Sequence, residues 1–158
     1  MRYFPIFIII VTLLFSSCRE DFSAELSSGK LSFSKDTIYL DTVFTNIGSS
    51  TYHFKVYNKS NKDISIPTIS LGRGENSFYR LNVDGEAGKY FENTEILAKD
   101  SLYIFIETTI DYTQVLDPIY TDSIVFSGGG NLQDVKLVTL VQDAHFLYPA
   151  KDTNGLIG

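Results

Sequence analysis

Ser101-Leu102-Tyr103-Ile104-Phe105-Ile106-Glu107-Thr108-Thr109-Ile110 is the longest clean alternation in the chain, with Leu102, Ile104, Ile106, Thr108 and Ile110 on one face. A period of two is what a strand with one buried side requires, because successive side chains point to opposite faces of a sheet. The stretch is introduced by Ile96-Leu97 and a Lys99-Asp100 turn, and is followed by a loop over 111–118. Downstream, Ile124 to Phe126 reads as a strand and Gly128-Gly129-Gly130-Asn131 as a turn. Val135, Leu137, Thr139 and Val141 then form a last face.

Working upstream, Phe78 to Val83 is a short strand ending at Asp84-Gly85, a strong hairpin dipeptide. The stretch from Gly88 to Asn93 is ambiguous, and Gly72 to Asn76 is a loop. Ile64 and Ile66 share a phase that Ile69 and Leu71 leave after Pro67, which predicts an edge or a bulge there. Tyr52, Phe54 and Val56 alternate against His53, Lys55 and Tyr57. Earlier still, Ile38, Leu40, Thr42 and Phe44 are expected on one face, with Tyr39, Asp41 and Val43 on the other, and Leu31 and Phe33 open the pattern. Seven to nine strands and no amphipathic helix predict an all-β fold, an immunoglobulin-like β-sandwich. The Cys-Trp-Cys core of antibody domains is absent, and aliphatic residues with Phe54, Phe105 and Phe126 are expected in its place.

Composition narrows the function. The chain has 158 residues, a formal net charge of −6, 44% hydrophobic content and a single cysteine. That length suits one domain with tails, large enough to fold without a disulfide or a metal. The acidic balance argues against a nucleic-acid partner. His53 and His145 are too few for a multi-histidine zinc site, and neither lies in a catalytic motif. Asp111, Asp117 and Asp122 flank one loop without the spacing of a calcium hand, and read as solvated. Gly72-x-Gly74 and the 128–130 glycines lack the strand-to-helix context of a phosphate cradle. No catalytic residue, cofactor or metal is assigned, and the chain is not expected to be an enzyme. Tyr52, Tyr57, Tyr79, Tyr90, Tyr103, Tyr112 and Tyr120 are candidates for a sugar platform, set against their ordinary use in strands.

The N-terminus has the form of an address. Arg2 precedes an apolar run from Tyr3 to Phe15 that is too short to span a bilayer and reads as a secretory signal. The run ends in Leu14-Phe15-Ser16-Ser17-Cys18, which resembles a bacterial lipobox. That resemblance implies a lipoprotein signal peptide over 1–17 and lipidation of Cys18, with an ordinary signal-peptidase cut as the alternative. Two or three acyl chains would anchor stably, whereas one binds a membrane only marginally. Arg19-Glu20-Asp21-Phe22 is similar to the acidic export signal of Bacteroidetes lipoproteins and implies an outer-membrane location facing the exterior.

The body carries a further resemblance. Asp41-Thr42-Val43-Phe44-Thr45-Asn46-Ile47-Gly48-Ser49, then Phe54-Lys55-Val56-Tyr57-Asn58-Lys59-Ser60-Asn61-Lys62 and Ile64-Ser65-Ile66, resemble the hydin/ASH-type immunoglobulin-like domains. Asp100 to Ile106 and Val135-Lys136-Leu137 fit the same scheme. More narrowly, residues 18–147 resemble the N-terminal module of Bacteroidetes surface lipoproteins, in which a parallel β-helix often follows. Here 147–158 reads as a linker, so truncation or a fragment is expected, with a stand-alone remnant or a self-packed tail as alternatives. The expected division is a signal over 1–17, a tether over 18–29, the sandwich over 30–146 and a linker or truncated tail over 147–158. Asp36-Thr37, Asp41-Thr42, Asp100-Ser101 and Asp122-Ser123, each followed by an aliphatic residue, are similar to the O-glycosylation motif of exported Bacteroidetes proteins. Thr37, Thr42, Ser101 and Ser123 are the implied acceptors, and turn chemistry explains the same pairs without a glycan.

These readings lead to a non-catalytic, lipid-anchored cell-surface module serving as a spacer or adhesion element, bound to the membrane through its N-terminal lipid. The alternatives are a carbohydrate- or peptide-binding accessory lipoprotein, favoured by an exposed tyrosine cluster, and a pilus-type subunit, favoured by an open strand position.

Overall fold

The computed structural model describes residues 23–144. Two sheets face each other. The first contains β6 (Ile64–Leu71), β9 (Tyr90–Ile96), β11 (Ile119–Gly128) and β12 (Asn131–Gln142), with the short β1 (Glu25–Leu26), β3 (Thr37–Tyr39) and β4 (Val43–Phe44). The second runs in the order β2 (Ser32–Phe33), β5 (Tyr52–Tyr57), β10 (Ser101–Thr108), β7 (Tyr79–Val83) and β8 (Glu86–Gly88). The fold is an immunoglobulin-like β-sandwich. Among the described residues the twelve strand segments exceed the expected seven to nine because two- and three-residue pieces line the edges.

The alternation that identified β10 delivers the core. Leu102, Ile104, Ile106 and Thr108 are all buried, and β10 pairs with β5 on one side and β7 on the other. Burying a side chain such as Ile104 or Ile106 stabilises the fold by about 1.5–3 kcal/mol. Phe54 and Phe126 meet in the core edge to face at 6.4 Å, and Phe33 lies 4.9 Å from Phe126. Phe105 is a correction to the expected core. It follows Ile104 and precedes Ile106, so it takes the outer face and is 40% exposed.

Between β3 and β4 the expected phase fails. Ile38 and Leu40 are buried, but so is Val43, while Thr42 and Phe44 are exposed. Parallel pairing along β12 joins Tyr39 to Val138 and Val43 to Val141, so four steps on one chain match three on the other. One extra residue turns every later side chain to the opposite face.

At Pro67 the structure resolves the predicted break differently from a simple bend. Ile66 and Ile69 are both fully buried, yet the register with β9 runs from Ile64 opposite Ile96 to Ser70 opposite Tyr90 without a shift. The partner strand changes phase at the same point, where Asn93 adopts a φ of 51°. Matched irregularities in both strands turn the faces over while the pairing continues. The ambiguous 88–93 stretch supplies the end of β8 and the start of β9.

Residues 25–29, at the end of the expected tether, lie against the first sheet: β1 pairs in parallel with β6, Ser27 N–H donates to the Ser65 carbonyl at 2.8 Å, and Ser27 is buried. Gly29, at φ 70°, lies so close to the β11–β12 hairpin that an added Cβ would sit 2.5 Å from the Gly128 carbonyl oxygen. Only a glycine permits that approach.

Candidate functional site

Chain path decides what each end of the sandwich presents. Residues 27–29 pack on the hairpin at 128–131, where Asn131 Nδ2 donates to the Ser28 carbonyl. From there β12 runs its 12 residues to Gln142, which pairs with Phe44 at the opposite end. At about 3.3 Å per residue this separates the two ends by roughly 35–40 Å.

The Gln142 end carries a groove of about 640 Å³, built from the loops that follow β6 and precede β11. Phe78 and Tyr120 form an apolar wall with ring centroids 5.2 Å apart, and Phe78 N–H donates to the Tyr120 hydroxyl at 3.1 Å. Above Tyr120 lies the Arg73 guanidinium, 5.1 Å from the ring centroid, with Nε donating to the Thr121 carbonyl at 3.0 Å. Lys89 Nζ donates to the Glu75 carbonyl at 2.7 Å on the same rim. Both cations are held by backbone oxygens rather than by carboxylates. Exposed apolar side chains surround this end: Ile119 opposite Leu140, Leu116 in the neighbouring loop, and Phe44 with Ile47 beside it.

The aspartates of the 111–118 loop and its flank are occupied separately. Asp111 accepts from the Thr113 N–H and hydroxyl, and the hydroxyl bond holds its carboxyl below the usual range. Asp117 accepts from Ile119 N–H, and Asp122 from the N–H groups of Arg73 and Ser123. Among the described residues no group of three or more His, Cys, Asp or Glu is placed to hold a metal ion.

The other sequence-derived residues are dispersed. Cys18 and His145 lie outside the described residues. Thr37 and Ser123 are half-buried on the outer face of the first sheet, opposite Lys136 from either side. Thr42 is exposed in the bulge between β3 and β4, whereas Ser101 is half-buried on the second sheet. In both Asp-Ser pairs the aspartate accepts the next residue's N–H, at 2.7 Å for Asp100 and 2.8 Å for Asp122, which is turn chemistry. Of the seven tyrosines, Tyr79 and Tyr120 are buried and leave the expected platform, while Tyr103 shares an outer face with His53 and Phe105. Sequence reading missed Arg73, whose signal was hidden inside a Gly-x-Gly stretch read only as a turn.

No protein-family model matches the sequence, and no curated protein matches it either. Solved structures share its fold. A family 123 glycoside hydrolase from Clostridium perfringens is similar at a TM-score of 0.51 and 9% identity, over 69% of this chain and 23% of that one. A protein of unknown function from Porphyromonas gingivalis is similar at 0.51 and 13% identity, over 73% of this chain and 49% of that one. The ASH/PapD-like domain 7 of human CEP192 aligns at 0.46 and 11% identity, over 82% of this chain and 97% of that domain. The chain therefore spans about a quarter of the hydrolase and about half of the Porphyromonas protein, and the likeness is one of fold alone.

Proposed function

We propose that this chain is a lipid-anchored, non-catalytic module of the outer cell surface, a spacer that carries an adhesive end away from the membrane. The observation that carries the reading is the chain path. The polypeptide comes in against the 128–131 hairpin, where Leu26 and Leu132 are exposed, and leaves at the far end of β12, beside the groove and exposed Phe44, Ile47, Leu116, Ile119 and Leu140. A lipid on Cys18 would leave only 19–24 between the anchor and β1, about 20 Å when extended. The hairpin end would then lie near the membrane and the groove end would face outward. Thr37, Thr42, Ser101 and Ser123 remain candidates for O-glycosylation, which intact-mass measurement of the native protein checks.

A pilus-type subunit needs an unfilled strand position. Among the described residues β12 is hydrogen-bonded to β11 on one side and to β3 and β4 on the other, which favours the spacer reading. The accessory binding protein is favoured by the exposed aromatic side chains of the second sheet.

Protease shaving of intact native cells, comparing the natural chain with Cys18→Ala, tests the proposal. Removal of a membrane-bound natural protein, with the variant lost from the membrane fraction, is the expected result. Protection until the outer membrane is ruptured would place the module on the periplasmic side and end the adhesion reading.

A further inference from the structure

The outward face of the second sheet has a pattern that solvent exposure alone does not call for. On the central strand β10, Tyr103 and Phe105 point outward, 42% and 40% exposed, with rings nearly parallel at 21° and centroids 6.1 Å apart. One row across the sheet reads Ala87, Asn82, Phe105 and His53, and the Tyr103 row continues to Lys55. His53 lies 5.9 Å from the Phe105 ring, and Lys55 Nζ sits 4.5 Å from the centre of Tyr103. Aromatic residues also serve sheet pairing, and what sets this face apart is that two adjacent exposed rings border a hollow lined with polar groups.

Beside Phe105 is a hollow of about 200 Å³, lined on its other sides by Arg80, Asn82, Ala87 and Glu107. It is smaller than the cavities that hold drug-sized ligands and matches one hexose-sized ring. Its polar groups are already positioned. Glu107 accepts from the Thr51 hydroxyl and lies 3.8 Å from Arg80 Nη2, and both terminal nitrogens of Arg80 donate to Thr109 Oγ1 at 3.3 Å. Asn82 uses its Oδ1 for the Gly85 N–H, which leaves its amide NH2 to donate. Arg80 and Glu107 cancel in charge, so the hollow selects for neither an anion nor a cation.

We propose that this face is a binding site for a neutral pyranose oligosaccharide. The C–H face of one sugar ring would stack on Phe105, and its edge hydroxyls would pair with Arg80, Asn82 and Glu107. Tyr103, one row along with Lys55 over its ring, extends the exposed surface beyond Phe105. Planar side chains with fixed donors and acceptors match vicinal hydroxyls, and an aromatic face matches the apolar side of the ring. The site deepens the accessory-binding reading, resting on the same exposed aromatics, and is separate from the anchor and from the groove at the Gln142 end.

Isothermal titration of the full chain with neutral hexasaccharides of β-1,4-glucose, β-1,4-xylose, β-1,3-glucose and α-1,6-mannose tests it, with hexagalacturonate as the charged comparison. Saturable binding of at least one neutral hexasaccharide is expected, weakened tenfold or more in Phe105→Ala and in Asn82→Ala. Phe105→Tyr should retain it, and Tyr90→Ala, on the first sheet, should leave it unchanged. Thermal melting and circular dichroism establish that each variant is folded. No binding of any neutral hexasaccharide at millimolar concentration overturns the proposal, as does binding that folded Phe105→Ala leaves intact. A preference for hexagalacturonate overturns it too. None of these outcomes bears on the membrane anchor, which the shaving experiment reads separately.

Discussion

The hydroxyl of Tyr79, on β7 of the second sheet, meets that of Thr139, on β12 of the first, at 2.9 Å in the middle of the core. Both residues are fully buried. The Tyr79 proton goes to the Tyr120 carbonyl at 3.2 Å, so Thr139 is the donor to Tyr79. This polar bridge ties the two sheets inside a core whose buried side chains are mostly aliphatic and aromatic. Tyr79→Phe should lower stability by about 1–3 kcal/mol in urea unfolding, because it strands a buried hydroxyl and a carbonyl. Adding Thr139→Val should cost less than the sum of the two single changes, since it removes the stranded partner.

The same tyrosine makes a prediction about alkali. Burial raises its pKa far above the ordinary 10.0, and the Thr139 hydrogen bond offsets this only in part. With the folded-state pKa above the unfolded one, the contribution to stability is fully present below pH 10.0. It is lost as the pH rises from there through the folded-state value. Ultraviolet titration of phenolate absorbance should show a tyrosine that ionises only as the chain unfolds, a step that Tyr79→Phe removes.

Asn58 is buried behind the turn that follows β5. Its Nδ2 reaches the carbonyls of Lys62, Ile96 and Leu97 at 2.8, 3.1 and 2.9 Å, while Oδ1 accepts from the N–H and hydroxyl of Ser60. One side chain thus joins the 58–62 turn to the end of β9. Asn58→Ala should cost about 2–3 kcal/mol by leaving buried carbonyls unpaired, and thermal melting of the folded variant checks it.

Gly29 holds the N-terminal segment against the hairpin at the expense of any side chain. Gly29→Ala combines a φ of 70° with a Cβ only 2.5 Å from the Gly128 carbonyl oxygen. The expected cost is about 1–3 kcal/mol. Hydrogen exchange should show faster exchange at Ser27 and at the β6 partners of β1, with β10 unchanged, because β1 detaches locally while the core stays closed.

Gln133 acts as a substitute strand. Its Oε1 accepts from Leu31 N–H at 2.8 Å and its Nε2 donates to the Leu31 carbonyl at 3.0 Å, pinning the chain just before β2 to the first sheet. Gln133→Ala should remove both bonds at a cost of about 1–2 kcal/mol. Amide exchange at Leu31 and Lys136 reports whether the crossing segment loosens.

What the sequence determined by itself was set by local alternation. Period two in 101–110 and 135–141 places Ile104, Ile106, Val135 and Leu137 in the core because a strand has no other way to bury such residues. Asp84-Gly85 ends β7 in a tight turn because both residues accept positive φ, 52° and 84° here. The tertiary structure decided whatever depends on a partner distant in sequence. Val43 rather than Phe44 points inward because β12 advances three residues while its neighbour advances four. Pro67 and Asn93 offset each other only because they lie across from one another in the paired strands. Polar 25–29 becomes part of the sheet because β6 offers unpaired backbone where β11 stops. The hollow brings Arg80 and Asn82 of one strand beside Phe105 and Glu107 of another, more than twenty positions on, and no periodicity within either strand announces it.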